Sequence, residues 1–144
     1  MTYLEWLEDH GAKHKAIINK LVANRYTQAD IIDYFDYTNM VYAEPDFCLL
    51  YKDNLKCHDM DDLNCYMCGC PYFRCSDTGV GISITIDLIK SMCSTYSKDS
   101  MVFKSNGEWH LDCSNCVVPH KKKFVQKFYK PNWLEIMKET NDDI

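Results

Sequence analysis

Along the first forty residues the apolar positions fall three and four apart: Leu4, Leu7, Ile17, Ile18, Leu21 and Val22 share one face of a helix. Thr2 followed by Glu5 has the spacing of a capping box, and Gly11 reads as an interruption of the stripe. A second start signal, Thr27 with Asp30 three residues on, precedes Ile31, Ile32 and Phe35. Residues 2–40 are therefore predicted to form a helical hairpin. From Pro45 to about residue 79 the periodicity dissolves into Cys, Asp, Asn and Pro, which predicts irregular chain in need of an organiser other than its own core. Val80, Ile82, Ile84 and Ile86 then alternate with a period of two, as in a strand, although the later half of 80–92 fits a short helix equally well. In "MVFKSNGEWHL" the pair Asn106-Gly107 separates two short runs containing Val102, Phe103, Trp109 and Leu111, the composition of a tight hairpin leading into Cys113. The remainder predicts one or two short helices broken at Pro131, with Phe124, Phe128, Trp133, Leu134 and Met137 as apolar anchors.

The pattern predicts an α+β fold: a small metal-stapled domain with an N-terminal helical hairpin, an irregular Cys-rich middle with a short β-hairpin, and C-terminal helices. One domain over 1–144 is expected, with a helical segment at 1–44, the Cys-rich region at 45–130, and a C-terminal helix and tail at 131–144. A chain of this length can bury a workable core without a staple, so nine cysteines call for a chemical explanation.

Compartment and charge narrow that explanation. The start "MTYLEWLEDHGAKHK" has Glu5, Glu8 and Asp9 where a secretion signal needs a basic start and an apolar run. No stretch approaches the roughly 18 consecutive apolar residues of a membrane span; "VGISITIDLIK" is broken by Asp87 and Lys90. A cytoplasmic protein with no membrane partner is expected, where thiols persist as ligands or nucleophiles and disulfides are uncommon. The net charge of −5 disfavours nucleic acid, with one local exception, the basic run Lys121, Lys122, Lys123, Lys127 and Lys130. A solvated helix face is the preferred reading of that 121–130 patch, and weak anion or RNA docking the alternative. The stretch "INKLVANRYTQADIIDYF" resembles the first two helices of a helix-turn-helix. The segment that would supply the recognition helix, "DYTNMVYAEPDF", carries no Lys or Arg, so a packing hairpin is preferred.

Two Cys-x-x-Cys pairs stand out, Cys65 with Cys68 and Cys113 with Cys116, separated by residues 69–112. Ligands two residues apart converge on one ion through a tight turn, and four of them complete a zinc tetrahedron. Cys70 and Cys75 extend the first cluster, and His120 follows the second. The seven candidate metal ligands, Cys65, Cys68, Cys70, Cys75, Cys113, Cys116 and His120, exceed one tetrahedral site, so either two sites or one site with extra thiols is implied. Mixed Cys and His donors favour zinc; an iron–sulfur cluster is the alternative cofactor, because it too takes four thiolates.

The runs "NCYMCGCPYFRC" and "DCSNCVVPH" together resemble the cysteine-rich small domain family, a zinc-finger-like group of metal-binding proteins in bacteria and archaea. The resemblance rests on Asn64, Cys65, Cys68, Cys70, Pro71, Phe73 and Cys75 at one end, and on Asp112, Cys113, Ser114, Cys116, Pro119 and His120 at the other. It spans 64–120, with residues 76–108 longer than in compact members, and leaves the N-terminal helices outside. It implies metal binding without a defined reaction.

Other donors have plainer readings. Cys48, Cys57 and Cys93 are expected as buried small hydrophobes, with Cys57-His58 able to complete a second site. His10 and His14, four apart on a helix, are read as solvated, and His110 as either a surface residue or a neighbour of the site. The functional expectation is a structural zinc supporting a protein-interaction module whose partner is another protein. The alternatives are an iron–sulfur protein for redox sensing or electron transfer, or a metal- or thiol-dependent enzyme. An enzyme would need an open coordination position or a low-pKa thiol near a base, with Cys70, Cys75 or His120 as candidates. No nucleophile motif, phosphate loop or carboxylate pair supports one, and no catalytic residue is assigned.

Overall fold

The computed structural model describes residues 2–75, 81–82, 88–93 and 98–138. The chain opens with α1, Tyr3–Ala23, capped at its start by the predicted box: the Thr2 amide donates to Glu5 at 2.7 Å, and the Glu5 amide to the Thr2 hydroxyl at 3.1 Å. Gly11 does not interrupt the helix. Its missing side chain makes room for Leu134, whose Cγ lies 2.8 Å from where a Cβ would stand. Helix α2, Gln28–Tyr34, starts at the second box, Thr27 with Asp30, and α3 follows at Tyr37–Ala43.

The buried face of α1 carries Leu7, His10, Gly11, His14, Ile17, Ile18 and Leu21. It packs with Ile31, Ile32, Phe35, Met40 and Phe47 into one apolar core, in which each fully buried aliphatic or aromatic side chain contributes roughly 1.5–3 kcal/mol. His10 and His14 belong to this face, contrary to their reading as solvated. They sit three residues after Leu7 and four before Ile18, so helical geometry turns them inward with the apolar stripe.

The irregular middle is tied to the helices by its backbone. The Tyr37 amide donates to Leu63 O at 2.9 Å, and the Cys65 amide to Phe35 O at 2.8 Å, forming a short antiparallel bridge around Asp36 and Asn64. Tyr66 and Met67, both fully buried, then plug into the helical core. At the C-terminal end, α4 (Lys122–Phe128) and α5 (Trp133–Lys138) close over the same side, with Trp133, Ile136 and Met137 buried and α5 lying on α1. The Trp133 indole N–H donates to Cys68 O at 2.9 Å, so the helical core grips the cysteine loop directly.

The strands are β1 (Phe73–Cys75), β2 (Gly81–Ile82), β3 (Leu88–Ile89), β4 (Ser91–Cys93), β5 (Met101–Ser105) and β6 (Glu108–Asp112). An antiparallel ribbon pairs β1 with β4, placing Phe73 opposite Cys93 and Cys75 opposite Ser91. The second sheet runs β2-β3-β6-β5, antiparallel except for the parallel β3–β6 pair. Where the period-two stretch is described it is extended, while Val80, Ile84 and Ile86 lie outside the described residues. The predicted hairpin is β5–β6, turned by Asn106 at φ 51° and Gly107 at φ 78°, the two positive dihedrals that a two-residue turn needs to match strand twist. The α+β class, the N-terminal helices and the C-terminal helices agree with the sequence pattern. Among the described residues, no helix is long and apolar enough to cross a membrane.

Candidate metal centre

A cavity of about 270 Å³ lies where the cysteine loop, the β1–β4 ribbon and the segment after β6 meet. Each side of it is shaped by a local backbone device. After Cys65 the chain turns tightly, with the Cys68 amide on Cys65 O at 3.3 Å and the Cys70 amide on Met67 O at 3.1 Å. Gly69 at φ 99° and Cys70 at φ 61° both occupy the left-handed region. A Cβ on Gly69 would also stand 3.1 Å from Trp133 and 3.2 Å from Trp6, so dihedral and space both require glycine.

Opposite, Asp112 accepts the Ser114 amide at 2.8 Å, starting the turn that carries Cys113 into Cys116, whose amide returns to Cys113 O at 2.9 Å. A 3-10 turn at Val118–His120 then rotates His120 inward, leaving it 5 % exposed.

The closest gathering of donors involves Cys57, His58 and His120, whose ligand atoms all lie within 4.8 Å of one another. Cys57 Sγ is 3.6 Å from His120 Nε2, and the two imidazole centroids are 4.9 Å apart. The tautomers follow from the partners. His120 Nδ1 lies 2.8 Å from Asn64 O and His58 Nδ1 lies 2.8 Å from Ser114 O; a carbonyl can only accept, so both Nδ1 atoms carry hydrogen. In the neutral form each ring then keeps a lone pair on Nε2. Metal-bound histidines are held in this way by backbone carbonyls, which fix both ring orientation and tautomer.

Asn64 builds much of this support. Fully buried, it donates from Nδ2 to Ile32 O at 2.8 Å and to Asp36 Oδ1 at 2.9 Å. Its Oδ1 accepts the Tyr66 amide at 3.0 Å, and its own amide donates to His120 O at 3.0 Å.

Of the residues expected as ligands, Cys68, Cys70, Cys113, Cys116 and His120 line the cavity together. Cys57, His58 and Cys93 join them. Cys65 lies in the apolar core, 7 % exposed, and Cys75 sits on β1; both are outside the lining. Cys57 is exposed rather than a buried hydrophobe, and Cys48 and Cys93 are half-buried. His110 stacks on Phe103 along β5–β6, with centroids 5.5 Å apart, away from the lining. The adjacent pair Cys57-His58 carried the sequence signal for donors outside the two Cys-x-x-Cys runs, whereas Cys93 had none, since strand pairing brings it in.

Burial sets the protonation of the donors. It pushes the Cys70 and Cys113 thiols up to about 11 and Cys65 up to about 12, raises Cys68, and lowers His120. Cys65, Cys68, Cys70 and Cys113 are thus held as thiols until a cation displaces their protons, while burial favours at His120 the neutral imidazole that a metal requires. The donor set fits a soft or borderline ion, and the chain is compatible with metal binding. Compared with family models, curated proteins and solved structures, the chain matches none.

Proposed function

We propose that this chain is a structural zinc protein in which Cys57, His58, His120 and Cys68 hold one ion, and that the metal-stapled domain serves as a protein-interaction module. The observation carrying this reading is the Cys57–His58–His120 group with both Nδ1 atoms committed to backbone carbonyls. Cys68 is the favoured fourth donor because it lines the same cavity and is held there by the Trp133 indole on its carbonyl. Two thiolates and two imidazoles suit zinc, and four protein ligands leave no position for substrate, which is the form of a structural rather than a catalytic site.

Such an ion would tie the irregular 45–72 chain to the loop after β6, two regions without a shared apolar core. The likeness of both cysteine runs to the cysteine-rich small domain family is in keeping with this role. The interaction face is proposed on β5, an edge strand with Met101, Val102 and Phe103 exposed, a template for a partner's strand. Part of the basic run is already engaged, since Lys122 Nζ lies 2.8 Å from both Asp33 and Asp36, which weakens a nucleic-acid reading of that patch.

Anaerobic purification, elemental analysis and a visible spectrum test the metal assignment. A colourless protein carrying zinc, partly unfolded by a chelator, is expected. A brown protein absorbing near 400 nm, or a metal-free chain indifferent to chelation, would overturn it.

A further inference from the structure

We infer that the cavity takes two metal ions, the second an all-sulfur tetrahedral zinc held by the thiolates of Cys70, Cys93, Cys113 and Cys116. The count of donors is the first reason. Eight Cys and His side chains line this one space, and a tetrahedral ion uses four. With Cys57, His58, Cys68 and His120 assigned to the first ion, the four sulfurs that remain make a complete second set.

Three separate backbone devices bring these four sulfurs to the cavity. In an extended chain Cys68 and Cys70 would project the same way, because side chains two apart share a face. The consecutive left-handed residues Gly69 and Cys70 break that extended relation. The Phe73 amide then returns to Cys70 O at 3.2 Å, so Cys70 stands at the head of the turn that leads into β1. Cys93 is set by strand register, opposite Phe73 in the β1–β4 ribbon and so three positions along from Cys70. Cys113 and Cys116 come from the tight turn after β6.

The cavity volume accommodates the pair, at about 270 Å³ against the roughly 30 Å³ that one water occupies. A zinc–sulfur bond of about 2.3 Å places tetrahedral sulfurs about 3.8 Å apart. Among the described residues only the Cys57 group is gathered within 4.8 Å, so the four sulfurs of the second set must draw together as the ion binds. Each coordinating thiol releases its proton to solvent, and the sulfur lone pair forms the bond to the ion.

Cobalt(II) substitution of the full chain, with metal content measured on the same samples, tests the assignment. Two equivalents are expected, binding with two sets of ligand-field bands, the all-sulfur set at longer wavelength. Cys93→Ser should halve the metal content and remove that set; His58→Ala should also halve it but leave that set intact. One equivalent in the wild type, with a mixed sulfur–nitrogen spectrum that Cys93→Ser does not alter, would overturn the second site. One equivalent of all-sulfur type that survives His58→Ala would instead sink the first site and leave this one standing. If Cys93→Ser does not fold, the stoichiometry and the two-band spectrum of the wild type decide. Acid-labile sulfide accompanying iron at these cysteines would overturn the single-ion assignment.

Discussion

Replacing His10 by phenylalanine should flatten the acid side of the stability curve. His10 is 4 % exposed on α1, stacked on Trp6 at 5.0 Å between ring centroids and edge-on to Trp133 at 4.9 Å. Burial lowers its imidazole to about 4, with Lys13 pushing the same way and Asp9 opposing. His14, fully buried beside Phe35 and Tyr66, falls to about 3, again chiefly through burial. In the unfolded chain both titrate near 6.5, so below that pH the unfolded state binds protons that the native state refuses. Both native values are depressed, so the stabilisation is fully present above 6.5 and is lost as pH falls toward 4. Integrating the proton linkage from pH 7 to pH 5 gives a loss of about 2 kcal/mol for each imidazole, or about 4 kcal/mol for the pair. His10→Phe keeps an aromatic ring in the stack and removes one of the two sites, so its loss over the same interval should be smaller by about 2 kcal/mol. Urea unfolding at both pH values, with zinc held constant, reads this as a difference of about 1 M in the midpoint shift. Metal release in acid affects both proteins alike and cancels in the comparison. Equal losses in wild type and variant, within about 0.5 kcal/mol, would refute the claim that a buried neutral His10 drives the acid sensitivity.

Three further substitutions probe the site and its frame. Asn64→Asp removes the donors to Ile32 O and Asp36 and sets a buried carboxylate against the half-buried Asp36, so it should cost about 3 kcal/mol or more in urea unfolding. Its zinc content should fall as well, because Asn64 also orients His120. Gly69→Ala, with both a positive φ and Trp133 3.1 Å from the new Cβ, should cost about 2–4 kcal/mol by thermal or urea unfolding. Gly107→Ala, at positive φ but in open space, should cost about 1 kcal/mol, so the difference between the two isolates packing at the cysteine loop. Cys75→Ser should leave metal content unchanged by elemental analysis, since Cys75 lies outside the cavity lining.

Local signals were legible wherever a few neighbouring residues decide the outcome. Thr2 with Glu5, Thr27 with Asp30, and Asn106-Gly107 are short-range devices, and each is found with the hydrogen bonds or dihedrals its spacing implies. Gly11 misled because its role is to admit Leu134 from α5, a contact that lies far away in sequence. His10 and His14 were read by residue type as polar, although their register with Leu7 and Ile18 placed them on the buried stripe. Within the candidate site, the Cys-x-x-Cys pairs and His120 announced themselves by spacing. Cys93 could not, because it reaches the cavity through the β1–β4 register, and the left-handed turn at Gly69 and Cys70 packs against Trp6 and Trp133, which lie far away in sequence.

The central claim is that sulfur and imidazole together hold zinc in this fold. X-ray absorption at the zinc edge, recorded on the full chain as purified, tests it most directly. The account predicts a mixed first shell, with sulfur at about 2.3 Å and nitrogen at about 2.0–2.1 Å, and three sulfurs for each nitrogen when both ions are bound. A shell of oxygen and nitrogen alone, or a protein that carries no zinc, would contradict it.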